Sequence, residues 1–96
     1  MRFHRTRIFI GNATKLELSR LEAYVIYLLH TKRAYQSGVE EEQFILEVQE
    51  WYQQKEGNEL ERLAVVDAIN HLYDIKALDF STGRIYLAER VWGKLT

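Results

Sequence analysis

The 96-residue chain contains no cysteine and no proline. Without cysteine there is no disulfide staple, no thiolate nucleophile and no cysteine-ligated zinc, and a reducing compartment fits. Without proline, nothing in the sequence forces a helix to kink or stop. Long apolar runs are missing as well. The longest, residues 23–29, falls far below the roughly 20 residues that cross a bilayer, so no membrane span is expected. Ile8-Phe9-Ile10 is too short for the apolar region of a secretory signal, and the plain expectation is a cytoplasmic protein. Glycine is sparse, and Gly11 and Gly38 stand alone rather than in a loop that could cradle phosphate.

Catalytic chemistry has few candidates. His4, His30 and His71 are far apart and lack the spacings that bring two imidazoles, or an imidazole and a carboxylate, onto one metal. His71 follows Asp67 by four residues, which places both on one helix face. A surface salt bridge is the expected use of that pair, in preference to an acid–imidazole couple. Ser19, Ser37 and Ser81 stand at cap or turn positions, and Glu40-Glu41-Glu42 suits a helix start better than a metal box. Neither an enzyme activity nor a cofactor or metal is expected.

What the chain does have is a modest core and an uneven charge. Hydrophobic residues make up 47% of it, enough for one small domain. The net charge of −1 hides a segregation: residues 1–36 carry seven basic and two acidic side chains, and residues 37–75 carry two basic and ten acidic ones. Residues 76–96 are again weakly basic.

Periodicity orders the elements. Arg7-Ile8-Phe9-Ile10 reads as a short strand closed by Gly11-Asn12. A helix follows, with capping-box starts at Thr14 (with Glu17) or Ser19 (with Glu22) and an end near Lys32-Arg33. A second helix is predicted to open at Ser37, boxed with Glu40, and to bury Phe44, Ile45, Val48, Trp51 and Tyr52 before Gly57. Asn58 is predicted to cap a third, with Leu60, Ala64, Val65, Ala68, Ile69 and Leu72 inside. The period then falls to two. Leu78 and Phe80 share a face, Ser81-Thr82-Gly83 forms a three-residue loop, and Ile85 and Leu87 return. Ala88, Val91, Trp92 and Leu95 make a short closing helical stripe.

The order strand, three helices, hairpin, short helix resembles the winged-helix superfamily over roughly residues 16–96. Leu72-Tyr73-Asp74-Ile75-Lys76-Ala77-Leu78 is similar to the Leu-x-x-x-Gly-Leu-Ile-like turn after a recognition helix. Ile85-Tyr86-Leu87-Ala88-Glu89 is similar to the Tyr-x-Leu-Thr-x-x-Gly-like strand exit. Glycine is absent from both places, with Lys76 or Ala77 at the turn and Val91 in the closing helix, and Ala88 replaces the capping threonine. The resemblance implies a mainly α fold with a small β-hairpin wing: a basic arm and strand (1–15), a helical core (16–75), and a wing with a closing helix (76–96).

For function, the resemblance implies a DNA-binding transcriptional regulator, often dimeric. The phosphate and base contacts would come from Arg2, Arg5, Arg7, Arg62, Asn70 and Arg84, the last at the wing. Winding the third helix puts Glu59, Arg62, Leu63, Val66, Asp67, Asn70 and Asp74 outside, with His71 at the margin. That face is acidic, which opposes the phosphate attraction that dominates DNA affinity. A second expectation therefore stands beside the first, a protein-interaction module using Glu59, Leu63, Val66, Asp67, Tyr73 and Asp74. Leu63 and Val66 also have a plainer reading as half-buried residues under a neighbouring loop. Equally, Arg84 has a plainer use in pairing across its own hairpin.

Overall fold

The computed structural model describes residues 5–10, 14–89 and 91, with side chains from Leu18 onward. Eight elements follow in order: β1 Arg5–Ile10, β2 Thr14–Ser19, α1 Arg20–Thr31, β3 Val39–Glu40, α2 Glu41–Glu56, α3 Arg62–Asp74, β4 Leu78–Ser81 and β5 Arg84–Leu87. The fold is mainly α with small antiparallel sheets, as expected. Arg2, Gly11-Asn12, Trp92 and Leu95 lie outside the described residues. Of the closing helix only Glu89 and Val91 are described, and both are helical.

The N-terminal strand is longer than expected and has a partner. Strands β1 and β2 pair antiparallel, Arg5 opposite Ser19 and Arg7 opposite Glu17. Thr14 is therefore the start of a strand and not a helix cap. The alternation of Lys15-Leu16-Glu17-Leu18 has the period of a strand. Of the two capping boxes, the Ser19 one forms. The Ser19 hydroxyl accepts from the Glu22 N–H at 3.1 Å, and Glu22 accepts from the Ser19 N–H at 2.7 Å.

The second helix starts differently from its predicted box. Residues Ser37-Gly38 lead into β3, which pairs with β5 through Val39 opposite Ile85 and Glu40 opposite Arg84. Glu40 caps α2 instead, accepting from the Glu42 and Gln43 N–H groups at 3.2 and 2.7 Å. At α3 the predicted Asn58 cap is also replaced, here by Glu61. The cause is Leu60: its side chain is buried in the core and its carbonyl accepts from Gln49 at 2.9 Å. Those two contacts hold the chain extended past Asn58, whose amide turns back to the Glu56 carbonyl. Glu59 thus precedes the helix rather than lying on it.

The three helices bury Leu21, Val25, Ile26 and Leu29 from α1, Phe44, Ile45, Val48 and Tyr52 from α2, and Val65, Ala68, Ile69 and Leu72 from α3. Trp51 lies at the edge of this core, half-buried. The sheet order β3-β5-β4 closes one end, with Leu78, Ile85 and Leu87 turned inward. Phe80 does not follow Leu78 inward, and sits partly exposed. The hairpin turn is tighter than expected. Ser81 pairs with Arg84, leaving a two-residue loop of Thr82 and Gly83, both at positive φ (51° and 75°). Two left-handed residues match the twist of the flanking strands.

Lys76 closes α3 with φ at 66°, at the turn where the winged-helix pattern has glycine. A side chain in this conformation crowds its own backbone, and glycine does not. A Lys76→Gly variant is expected to gain up to about 1 kcal/mol, read as a raised midpoint in urea unfolding with an unchanged slope.

Candidate interaction face

Helix α3 has sharply different sides. Val65, Ala68, Ile69 and Leu72 point into the core, and the opposite side carries Leu63 at 65% exposure, Tyr73 at 47%, and exposed Asp67, Asn70 and Asp74. Val66 is half-buried and packs against the core, so it borders the face rather than crowning it. Strand β4 extends the surface. The Tyr73 and Phe80 rings meet edge to face at 5.0 Å, and Asp79 is exposed beside them. A cleft of about 340 Å³ opens at this junction, lined by Tyr73, Asp74, Lys76, Leu78 and Asp79.

The two expected phosphate-binding arginines of the described core are engaged elsewhere. Arg62 pairs with Glu42 of α2 at 2.8 Å, which raises its pKa further. Arg84 donates from Nε to the Ser37 carbonyl and from Nη2 to the Gly38 carbonyl, both at 2.9 Å. It thereby fastens the chain entering β3 to β5, and does not pair across its own hairpin as the plainer reading expected. Asn70 stands on the outer face. Arg5 and Arg7 lie on β1. Asp67, Asp74 and Asp79 meet no cation among the described residues, whereas three glutamates of α2 do: Glu42 pairs with Arg62, Glu47 with Lys32 and Glu56 with Arg20.

On its α1 side the face drops into a second cleft of about 300 Å³, walled by Ser19, Leu21, Glu22, Ala64, Asp67, Ala68 and His71. His71 turns to Glu22 of α1 and not to Asp67 as predicted. Local helix spacing favoured Asp67, but the interhelical partner is a carboxylate only 5% exposed, for which an unmet charge costs more. Burial pushes the Glu22 carboxyl up. The Ser19 N–H, the His71 imidazole and the Ser19 hydroxyl outweigh it and hold the group below its ordinary value. The pair ties α3 to the start of α1, which fixes the angle at which the outer face is presented.

A further aromatic cluster joins α1 and α2 on another side. Tyr27 stacks on Trp51 at 5.9 Å, Tyr24 meets the same indole edge-on at 4.8 Å, and Lys55 lies over it. The Tyr24 hydroxyl donates to Glu56 at 2.7 Å, which raises its pKa. Helical spacing marked Trp51 as core, but its pairing with Tyr24 and Tyr27 depends on how the two helices meet and has no signature in either segment alone.

Among the described residues no helix is long and apolar enough to cross a membrane. No protein-family model matches the chain, and no curated protein or solved structure matches it either.

Proposed function

We propose that this chain is a non-enzymatic protein-interaction domain of winged-helix-like build, working in the cytoplasm. It offers the outer face of α3, extended by β4, to a partner rich in basic and apolar side chains. One observation carries the reading: Leu63 and Tyr73 stand exposed among Asp67 and Asp74, acids that no cation of the described residues neutralises. Exposed aromatic and aliphatic side chains supply the buried centre of a protein contact, and unmatched charges at its rim select and orient the partner. The same acids would face the phosphates of a DNA groove and oppose binding there.

The alternative, a DNA-binding transcriptional regulator, draws support from the order of three helices followed by a hairpin and from the basic residues Arg2, Arg5 and Arg7. It would have to work with Arg62 and Arg84 drawn away into internal pairs. Two titrations separate the readings. In the first, labelled random duplex DNA is followed by fluorescence anisotropy at low and rising salt, and no steeply salt-dependent binding is expected. In the second, a synthetic peptide of alternating arginine and leucine is added to isotopically labelled protein. The amides of Leu63, Val66, Asn70 and Tyr73 are expected to shift together. If DNA binds at low salt and moves these same amides, α3 is a nucleic-acid reader and the proposal is wrong.

A further inference from the structure

The clefts of this surface differ in what lines them. One of about 210 Å³ on α2 is walled by Leu28, Glu47, Glu50, Trp51 and Gln54, and Lys32 already holds Glu47. The cleft at β4 contains its own cation, Lys76. The α1–α3 cleft of about 300 Å³ has a carboxylate from each helix, Glu22 and Asp67, and no lysine or arginine in its wall. Glu22, 5% exposed, is the one charged side chain buried among the described residues. Small side chains give the cleft its shape. Ala64 and Ala68 stand one turn apart on α3 and face the start of α1 at Ser19, so a trough runs between the helices. Leu21 adds an apolar wall. At neutral pH Glu22 and Asp67 bring two negative charges and His71 returns at most one positive, so the cleft is negative in either state of the imidazole.

We infer that this cleft binds an alkylguanidinium group, the side chain of an arginine on the partner. This rests on the reading of α3 as a protein-interaction face and names the side chain that anchors there. The aliphatic stem lies along Leu21, Ala64 and Ala68, and the head meets Asp67 at the exposed end. Guanidinium suits the place better than ammonium. It is more weakly hydrated, so less is lost when apolar walls displace its water. Glu50, Glu59, Glu61 and Asp74 are exposed as well, but they lie outside this cleft.

Butylguanidinium, titrated into isotopically labelled protein, tests the inference without a peptide backbone. The amides of Ala64, Asp67, Ala68 and His71 are expected to shift together and to saturate. Asp67→Asn is expected to weaken binding about fivefold, the size of one partly shielded ion pair. Asp74→Asn changes the net charge equally from outside the cleft, and is expected to leave binding unchanged. Ala64→Leu fills the trough and is expected to abolish the saturable shifts, with its fold checked by circular dichroism. Butylammonium is expected to bind more weakly than butylguanidinium. Shifts that never saturate overturn the inference, as do equal losses from the two asparagine variants or butylammonium binding as tightly. The arginine–leucine peptide then identifies the source. Movement of the same four amides, lost when citrulline replaces arginine, supports an arginine side chain. If the peptide moves Leu63 and Tyr73 but not these four, the inference fails and the interaction face stands. If butylguanidinium saturates the cleft and the peptide moves no amide, the ligand is a free alkylguanidine, which overturns both the arginine of a partner and the protein-face reading.

Discussion

Replacing Leu72 with alanine is expected to cost about 2–5 kcal/mol, whereas the same change at Tyr73 is expected to cost less than about 1 kcal/mol. The two residues are neighbours on α3, yet Leu72 is fully buried and Tyr73 is 47% exposed. Truncating Leu72 removes apolar contacts on the core side of α3 and leaves a cavity. Truncating Tyr73 gives up mainly its edge-to-face contact with Phe80, worth about 0.5–1.5 kcal/mol beyond area where such rings are buried and less where they are wet. In a domain whose whole stability is about 5–15 kcal/mol, the Leu72 loss is a large share. Paired urea titrations measure the contrast. Comparable losses at both positions would mean that α3 is turned differently about its axis, and the exposed face with it. The same contrast bears on the proposed function: Tyr73→Ala is expected to leave the fold standing and to remove an aromatic anchor from the proposed interaction face.

A Gly38→Ala variant is expected to lose about 2–4 kcal/mol, from two causes acting at one atom. Gly38 has φ at 70°, a conformation that strains any side chain. A Cβ built there meets the Tyr86 ring at 2.8 Å and the Ile85 carbonyl at 3.1 Å. The ring can swing, but the carbonyl belongs to a strand already paired with β3 and β4, so the backbone of Gly38 must yield. Its movement would draw the Gly38 carbonyl away from Arg84, adding a lost hydrogen bond to the strain. Thermal unfolding reads the result, at about 4–8 °C of midpoint per kcal/mol for a domain of this size. A loss below about 1 kcal/mol would show that the close approach of β3 to β5 is not as tight as described.

Where structure is decided within one turn of helix or one hairpin, the residues announce it. The Ser19–Glu22 box, the Gly57 stop and the two-period strands around Thr82-Gly83 all belong to this kind. What decides between two adequate local signals lies far away along the chain. Ser37 is as good a cap as Glu40 by local rules, but Arg84, 47 residues on, holds the Ser37 carbonyl and draws the segment into a strand. Asn58 is a better cap residue than Glu61, and loses because Leu60 is buried in the core. The outer face of α3 was legible from helical winding, since Leu63, Asp67, Asn70 and Asp74 need only the period of the helix to find their side. The employment of its cations was not. Arg62 finds Glu42 across 20 residues, and His71 prefers Glu22 across 49 to Asp67 across four, because a buried carboxylate outbids an exposed one.

The clamp of Arg84 on the segment before β3 has a consequence for how the chain is made. Among the described residues, the strand Val39–Glu40 finds its partner in β5, and Glu22 finds its imidazole in α3. During synthesis the ribosome releases α1 and α2 long before either partner exists. The first half of the chain therefore leaves the exit tunnel with a buried-type acid unmatched, a two-residue strand unpaired and its apolar stripes uncovered. Contacts of such long sequence separation slow folding and prolong the exposure of apolar surface. The core is complete only once Val91, buried within it, has emerged, and a ribosome stalled before that point is expected to hold a fragment suited to chaperones rather than a smaller working unit.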